Sequence, residues 1–168
     1  MIPTFGHKNI ITFTDHNGKL TRPFSSVEEM DETMVKRWNE VVGDQDRVYH
    51  LGDVAINRRS LSILYRLKGR KCLIKGNHDI FKLKDYLPHF DDIRAYRHYP
   101  HEGIVCSHIP VHTNQLEGRF DFNVHGHTHQ NFVEKSPHHP DERYVNVCVE
   151  QTDYRPINFE EVLKRCKL

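Results

Sequence analysis

Lys75-Gly76-Asn77-His78-Asp79 places an amide oxygen, an imidazole and a carboxylate on one turn, at the end of the apolar run Cys72-Leu73-Ile74. The glycine permits a sharp bend, and on its own Asn-His-Asp after Gly is simply a good turn sequence. Three further fragments of the same chemical kind change that weighting: His50-Leu51-Gly52-Asp53, Ser107-His108 and Gly126-His127-Thr128-His129. Together they describe a metal site assembled at strand ends. Two hard or borderline divalent ions held ~3.5–4 Å apart need a bridging carboxylate and suit mixed oxygen and imidazole ligands. Asp53 is the natural bridge. Asn77 adds a neutral oxygen ligand that leaves the ions' charge intact for an anionic substrate. His108, His127 and His129 are the imidazole candidates, the last two spaced so that their rings can serve neighbouring ions. His78 lies beside a ligand without being needed as one, so it is the candidate proton donor to a leaving oxygen. The chemistry expected is attack of metal-bound hydroxide on phosphorus, with the ions neutralising the developing charge and His78 as general acid.

Composition bounds what such a site can serve. The 168 residues fit one domain, 1–168, large enough to bury a sizeable core without staples. Lys and Arg number 24 against 23 Asp and Glu, so neither nucleic acid nor an anionic membrane is favoured by a strong field. Fourteen histidines stand out, and imidazole is both the commonest metal ligand and the side chain that titrates near neutrality. Cys72, Cys106, Cys148 and Cys166 form no C-x-x-C pair, which argues against a zinc–thiolate site. No apolar run approaches the roughly 20 residues of a membrane span, and the N-terminus lacks a signal peptide's apolar region. A cytoplasmic protein in a reducing compartment is expected.

The elements that must position these residues are legible in outline. Ser26 and Glu29 form a capping box, and Val27, Met30, Met34, Val35, Trp38, Val41 and Val42 follow at helical spacing. Val48–Leu51 reads as a buried strand delivering Gly52-Asp53. A second helix is expected over 58–68, with Leu61, Leu64 and Leu67 inward and Gly69 past its end. A short helix over 80–90 stops near Pro88. Strands are expected at 73–74, 104–106, 122–125 and 144–149, and Asn158 opens a last helix with Phe159, Val162, Leu163 and Cys166 on its apolar side. Strands alternating with helices indicate an α/β fold, and functional residues at strand C-terminal ends match where such sheets bind ligands.

The chain resembles the calcineurin-like metallophosphoesterases, in particular their small bacterial and phage branch. That family's signature is Asp-x-His, Gly-Asp, Gly-Asn-His-Asp/Glu, a lone His and Gly-His-x-His, each after a strand. The last four are matched in order by Gly52-Asp53, Gly76-Asn77-His78-Asp79, His108 and Gly126-His127-Thr128-His129. The branch is also matched at Phe5-Gly6-His7-Lys8-Asn9-Ile10-Ile11, Arg22-Pro23-Phe24, Tyr49–Asp53 and Asn146-Val147-Cys148-Val149-Glu150. The resemblance implies two packed β-sheets flanked by helices, a four-layer sandwich. It implies two divalent ions, Mn²⁺ or else Fe, Zn or Ni, with Asp53 bridging, Asn77, His108 and His127 completing one site and His129 in the other. It implies a small phosphorylated substrate or phosphodiester, with His7 and Arg22 on the substrate side.

The departure is at the N-terminus. The branch reads Ser-Asp-x-His directly before Phe-Gly-His, after a β-strand, whereas only Met1-Ile2-Pro3-Thr4 precedes Phe5 here. The first strand is therefore expected to be missing or shortened, and the Asp and His it would carry are absent as ligands of one ion. Either the start lies inside a longer reading frame, or this is a natural variant with one strong metal site or none. Asp15-His16 has the wrong spacing and a turn-like context, and is not a convincing replacement. His50 is expected to pack, His125 to support the ligands from behind, His112 to line the substrate mouth, Asp79 to orient a neighbour, and His138 and His139 to face solvent. Two other readings stand beside hydrolysis. One is a catalytically impaired scaffold, against which the retention of Asn77, His78, His108, His127 and His129 together argues. The other is a nuclease, which the near-zero net charge disfavours.

Overall fold

The computed structural model describes residues 3–15 and 17–167. Helix α1 (Val27–Val41) begins as its sequence requires: Ser26 Oγ accepts from the Glu29 N–H at 3.1 Å, and Glu29 returns to the Ser25 N–H at 2.9 Å. Its buried face carries Met30, Met34, Val35 and Trp38, and Trp38 Nε1 donates to the Lys68 carbonyl at 3.0 Å.

Strands β1 (Arg47–His50), β2 (Arg70–Ile74) and β3 (Asp92–Arg94) form a parallel three-stranded sheet in that order. After α2 (Leu83–Tyr86), which precedes β3, the chain builds a second sheet of β4 (Tyr96–Tyr99), β5 (Ile104–Ser107), β6 (Phe122–His125) and β9 (Tyr144–Asn146). In it β4 and β5 are antiparallel, while β5–β6 and β6–β9 are parallel. A hairpin of β7 (Glu134–Ser136) and β8 (His139–Pro140) lies between, and α3 (Phe159–Arg165) ends the chain. The architecture is mixed α/β, with several sheets flanked by helices.

Alternation along the strands distributes the core. Leu73 of β2 joins α1, Phe5, Ile10, Leu61 and Leu64, whereas the next residue, Ile74, joins a cluster with Ile104, Cys106, Val124, Val145 and, from α3, Val162. In β5, Val105 turns the other way, onto Leu116 and Phe120. The second cluster thus draws on both sheets.

One local expectation is refined and two are corrected. The helix expected over 58–68 is a 3₁₀ helix over Arg58–Arg66; Leu61, Leu64 and Leu67, three apart and all buried as expected, suit the three-residue repeat. The expected helix over 80–90 shrinks to the four residues of α2. The run 144–149 divides into β9 and a 3₁₀ turn at Val149–Gln151. Strands β3 and β4 are rich in charged and polar residues, and no periodic apolar signal announced them.

At the N-terminus, among the described residues, a single parallel bridge joins Phe5 and Ala55, with the Phe5 N–H on the Val54 carbonyl at 2.9 Å and the Ile56 N–H on the Phe5 carbonyl at 3.1 Å. Among the described residues, β1 has one strand neighbour, β2. A cavity of about 460 Å³, lined by Val42, Val48, Leu51, Val124, Val147 and Val162 among others, opens between β1 and α3. No helix among the described residues is long and apolar enough to cross a membrane.

Candidate metal centre

Parallel pairing of β1 with β2 and of β5 with β6 brings their C-terminal ends to common edges, and each end presents a functional loop. Asp79 ties two of these loops together. Its buried carboxylate accepts from the Asp53 and Gly76 N–H groups at 2.8 Å each and from Val54 at 2.9 Å. Burial raises its pKa, against the lowering effect of the three N–H donors. Asp79 is thus an organiser of the loops, and its oxygens are spent on backbone.

Asp53, His108 and His127 offer ligand atoms that all lie within 4.8 Å of one another. Asn77 joins them, with its Oδ1 2.9 Å from His108 Nε2, and Asp53 Oδ2 lies 3.2 Å from the same nitrogen. The backbone decides what that nitrogen is. His108 Nδ1 lies 2.7 Å from the Leu51 carbonyl, which has no proton to give, so Nδ1 donates and the lone pair of the neutral ring is on Nε2. Three lone pairs, from an imidazole, a carboxylate and an amide oxygen, therefore converge. Such a cluster needs a cation, a ring proton or a metal ion. The raised pKa of His108, where hydrogen bonds to Asp53 and Leu51 outweigh burial, has the same origin. For Asp53, burial acts upward, yet the His108 hydrogen bond and charge and the His78 N–H at 2.9 Å hold the carboxyl below its usual value. Burial and the neighbouring His108 lower His127. The donor set fits a divalent ion with mixed oxygen and nitrogen ligands.

The backbone at the site is unusual. Asp53, His127 and His129 have φ of +53°, +66° and +51°, a left-handed conformation costing of order 1–3 kcal/mol for a non-glycine residue and concentrated at functional sites. Gly76 serves by its size: a Cβ there would come within 2.2 Å of Asp53 Oδ1.

His78 is exposed at the mouth, with its N–H anchored on Asp53. His7 Nδ1 accepts from the Ile10 N–H at 3.2 Å, so its neutral ring carries the proton on Nε2 and presents a donor. Burial, then Arg22, keep its pKa low and the ring neutral. That suits hydrogen bonding to an anion better than metal ligation.

Arg22 requires a correction. It is wholly buried, with Nε 2.7 Å from Glu150 Oε1 and Nη1 2.5 Å from the Pro3 carbonyl, so it has no open face for a substrate. His129 stands outside the three-residue group and donates from Nδ1 to Glu150 Oε1 at 3.0 Å. Burial would raise Glu150, but His129 and Arg22 hold it at about 2. Glu150 itself was visible in sequence only as part of a matched string. His125 donates from Nδ1 to the Gly126 carbonyl at 2.8 Å, and His112 Nδ1 accepts from Asn114 at 3.2 Å. His50 packs edge-on to Phe90, and His138 and His139 are exposed. Asp15 Oδ1 accepts from the Asn17 and Lys19 N–H groups, which makes a turn; His16 lies outside the described residues.

No family model matches the chain. It is 33% identical over 166 residues to the uncharacterized protein MJ1445 of Methanocaldococcus jannaschii, the match covering 95% of this chain and 85% of that one. A shorter match, 35% identical over 79 residues, covers 44% of this chain and 35% of the Gene 66 protein of Mycobacterium phage L5. Among solved structures it is similar to the protein of unknown function AQ665 from Aquifex aeolicus, with a TM-score of 0.70 and 25% identity over 96% of this chain and 94% of that one.

Proposed function

The chain belongs to the family of the uncharacterized protein MJ1445 of Methanocaldococcus jannaschii, and from the chemistry of its own site we propose that it is a metal-dependent phosphoesterase of the calcineurin-like kind, hydrolysing a phosphomonoester or phosphodiester. The observation that carries the reading is the convergence of lone pairs from Asp53, Asn77 and His108 beside His127. These four residues would hold one divalent ion, Mn²⁺ or another borderline metal. A second ion would draw on Asp53 and His129, with fewer protein ligands. When bound, such ions activate water and offset charge on the phosphoryl oxygens. The two sheets with flanking helices are read as that superfamily's sandwich.

The chain's own residues supply the rest. His78, exposed and anchored by its N–H to Asp53, protonates the leaving oxygen. The Nε2–H of His7 donates to a non-bridging phosphoryl oxygen. Asp79 keeps the Asp53 and Gly76 loops at a fixed separation, so ligand and proton donor stay in register.

The test pairs metal content with Mn²⁺-dependent hydrolysis of chromogenic mono- and diesters. His78→Ala should lower kcat by about 10²–10⁴-fold with bound metal unchanged. Asp53→Asn should remove metal and turnover together. Hydrolysis unaltered in both variants would overturn the reading, and a folded wild-type chain silent toward the whole panel would leave the fold as a scaffold.

A further inference from the structure

The segment Asn146–Glu150 grips the His129 loop from behind at two levels. At the backbone, Asn146 Nδ2 donates to Thr128 Oγ1 at 3.0 Å and to the His129 and Asn131 carbonyls at 2.7 and 3.0 Å, while Asn146 Oδ1 accepts from the Cys148 N–H at 2.9 Å. At the side chain, Glu150 Oε1 receives both His129 Nδ1 at 3.0 Å and Arg22 Nε at 2.7 Å. Glu150 is 4% exposed and Arg22 0%. Among the described residues Arg22 Nη2 and Glu150 Oε2 have no hydrogen-bond partner, and the one carboxylate oxygen that is engaged is shared by the guanidinium and the His129 ring.

We infer that Glu150, held by Arg22, is a positioning residue that fixes the proton of His129 on Nδ1 and turns its Nε2 lone pair outward to take a divalent ion. A carboxylate behind a metal-binding histidine does this by accepting the ring proton and setting the ring plane. Arg22 supplies the counter-charge that keeps the carboxylate buried, and through Nη1 it ties the Pro3 carbonyl to the same point. The φ of +51° at His129 is held by the Asn146 clamp, so the ring is set both at its base and at its tip. The metal part of this inference rests on the phosphoesterase reading; the tautomer part does not.

The experiment therefore begins without metal. Long-range ¹H–¹⁵N spectra of the wild-type protein should show His129 with a protonated Nδ1 and a bare Nε2. In Glu150→Ala the ring should redistribute toward the Nε2–H form, and in Glu150→Gln, whose amide oxygen still accepts, the Nδ1–H form should persist. If Glu150→Ala fails to fold because Arg22 is left unpaired, the double variant Arg22→Met/Glu150→Ala removes the stranded charge and gives the same reading. Mn²⁺ titration follows: loss of the acceptor should weaken the ion that uses His129 by about 10–100-fold and leave the ion at Asp53, His108 and His127 in place. An unchanged His129 tautomer in a folded Ala variant overturns the inference, as does unchanged affinity at that ion. A wild-type protein that binds no metal but shows the expected tautomers would overturn the phosphoesterase reading together with the metal part of the inference, and would bear out the tautomer part.

Discussion

A backbone carbonyl, that of Leu51, decides which nitrogen of His108 is available, and a carboxylate, that of Glu150, does the same for His129. His7 is fixed in the opposite sense by the Ile10 N–H, which leaves it a proton donor. Residues of one type thus divide into rings that present a bare Nε2 and a ring that presents an Nε2–H, according to the partner of a single ring atom. Asp79 works at this scale too, since three N–H groups from two loops end on its two oxygens. Asp79→Ala would leave all three in a buried place without an acceptor, and should cost roughly 3–5 kcal/mol in chemical denaturation. Asp79→Asn, which keeps one oxygen, should cost less. Equal midpoints for wild type and Asp79→Ala would mean that the loops are held by something else.

Among the elements, parallel strands do the gathering: β1, β2, β5 and β6 each end in a loop that carries a candidate ligand or the candidate proton donor. The close approach of two such loops is possible only because Gly76 has no side chain. Its φ is not in the left-handed region, so the cost of a substitution there is steric. Gly76→Ala should push Asp53 aside, with a stability loss of about 1–3 kcal/mol but a drop in Mn²⁺ affinity of at least tenfold by calorimetry, roughly the scale set by displacing a ligand's support. Unchanged affinity would place Asp53 away from the ion. Helix α1 and the strand ends could be read from capping residues and apolar spacing. The 3₁₀ character of 58–66 and the strands β3 and β4 could not, because pairing with a neighbour and burial of every third residue, not local propensity, produce them.

For the molecule as a whole, burial of one acid links folding to pH. Asp31 on α1 accepts from the Gly6 N–H through both carboxylate oxygens, at 3.2 and 3.1 Å, and burial raises its pKa to about 6 despite those bonds. A carboxyl with a raised folded pKa binds its proton more tightly folded than unfolded. Its contribution is present below the unfolded value near 4 and is lost as pH rises through about 6. Stability should therefore fall across that interval by up to about 3 kcal/mol, and Asp31→Asn should flatten the slope. Denaturation midpoints at pH 4, 5, 6 and 7 provide the check; parallel curves for the two proteins would remove Asp31 as the cause.

The sequence by itself determined the types of the candidate ligands, their order and their places after strands, since turn chemistry and apolar runs are local properties. Asp53, Asn77, His108 and His127 stand out as candidates because glycine-flanked polar groups at strand ends are legible in one dimension, and the fold brings them together. The tertiary structure decided what each group is free to do. The resemblance sets Arg22 on the substrate side, and only the packing of Glu150 and Pro3 around it shows the guanidinium to be buried. His129 looks equivalent to His127, and only a carboxylate 21 positions away separates their surroundings. Tautomer, burial and counter-charge are set by atoms brought together from distant parts of the chain, and so they are decided only when the sheets pack.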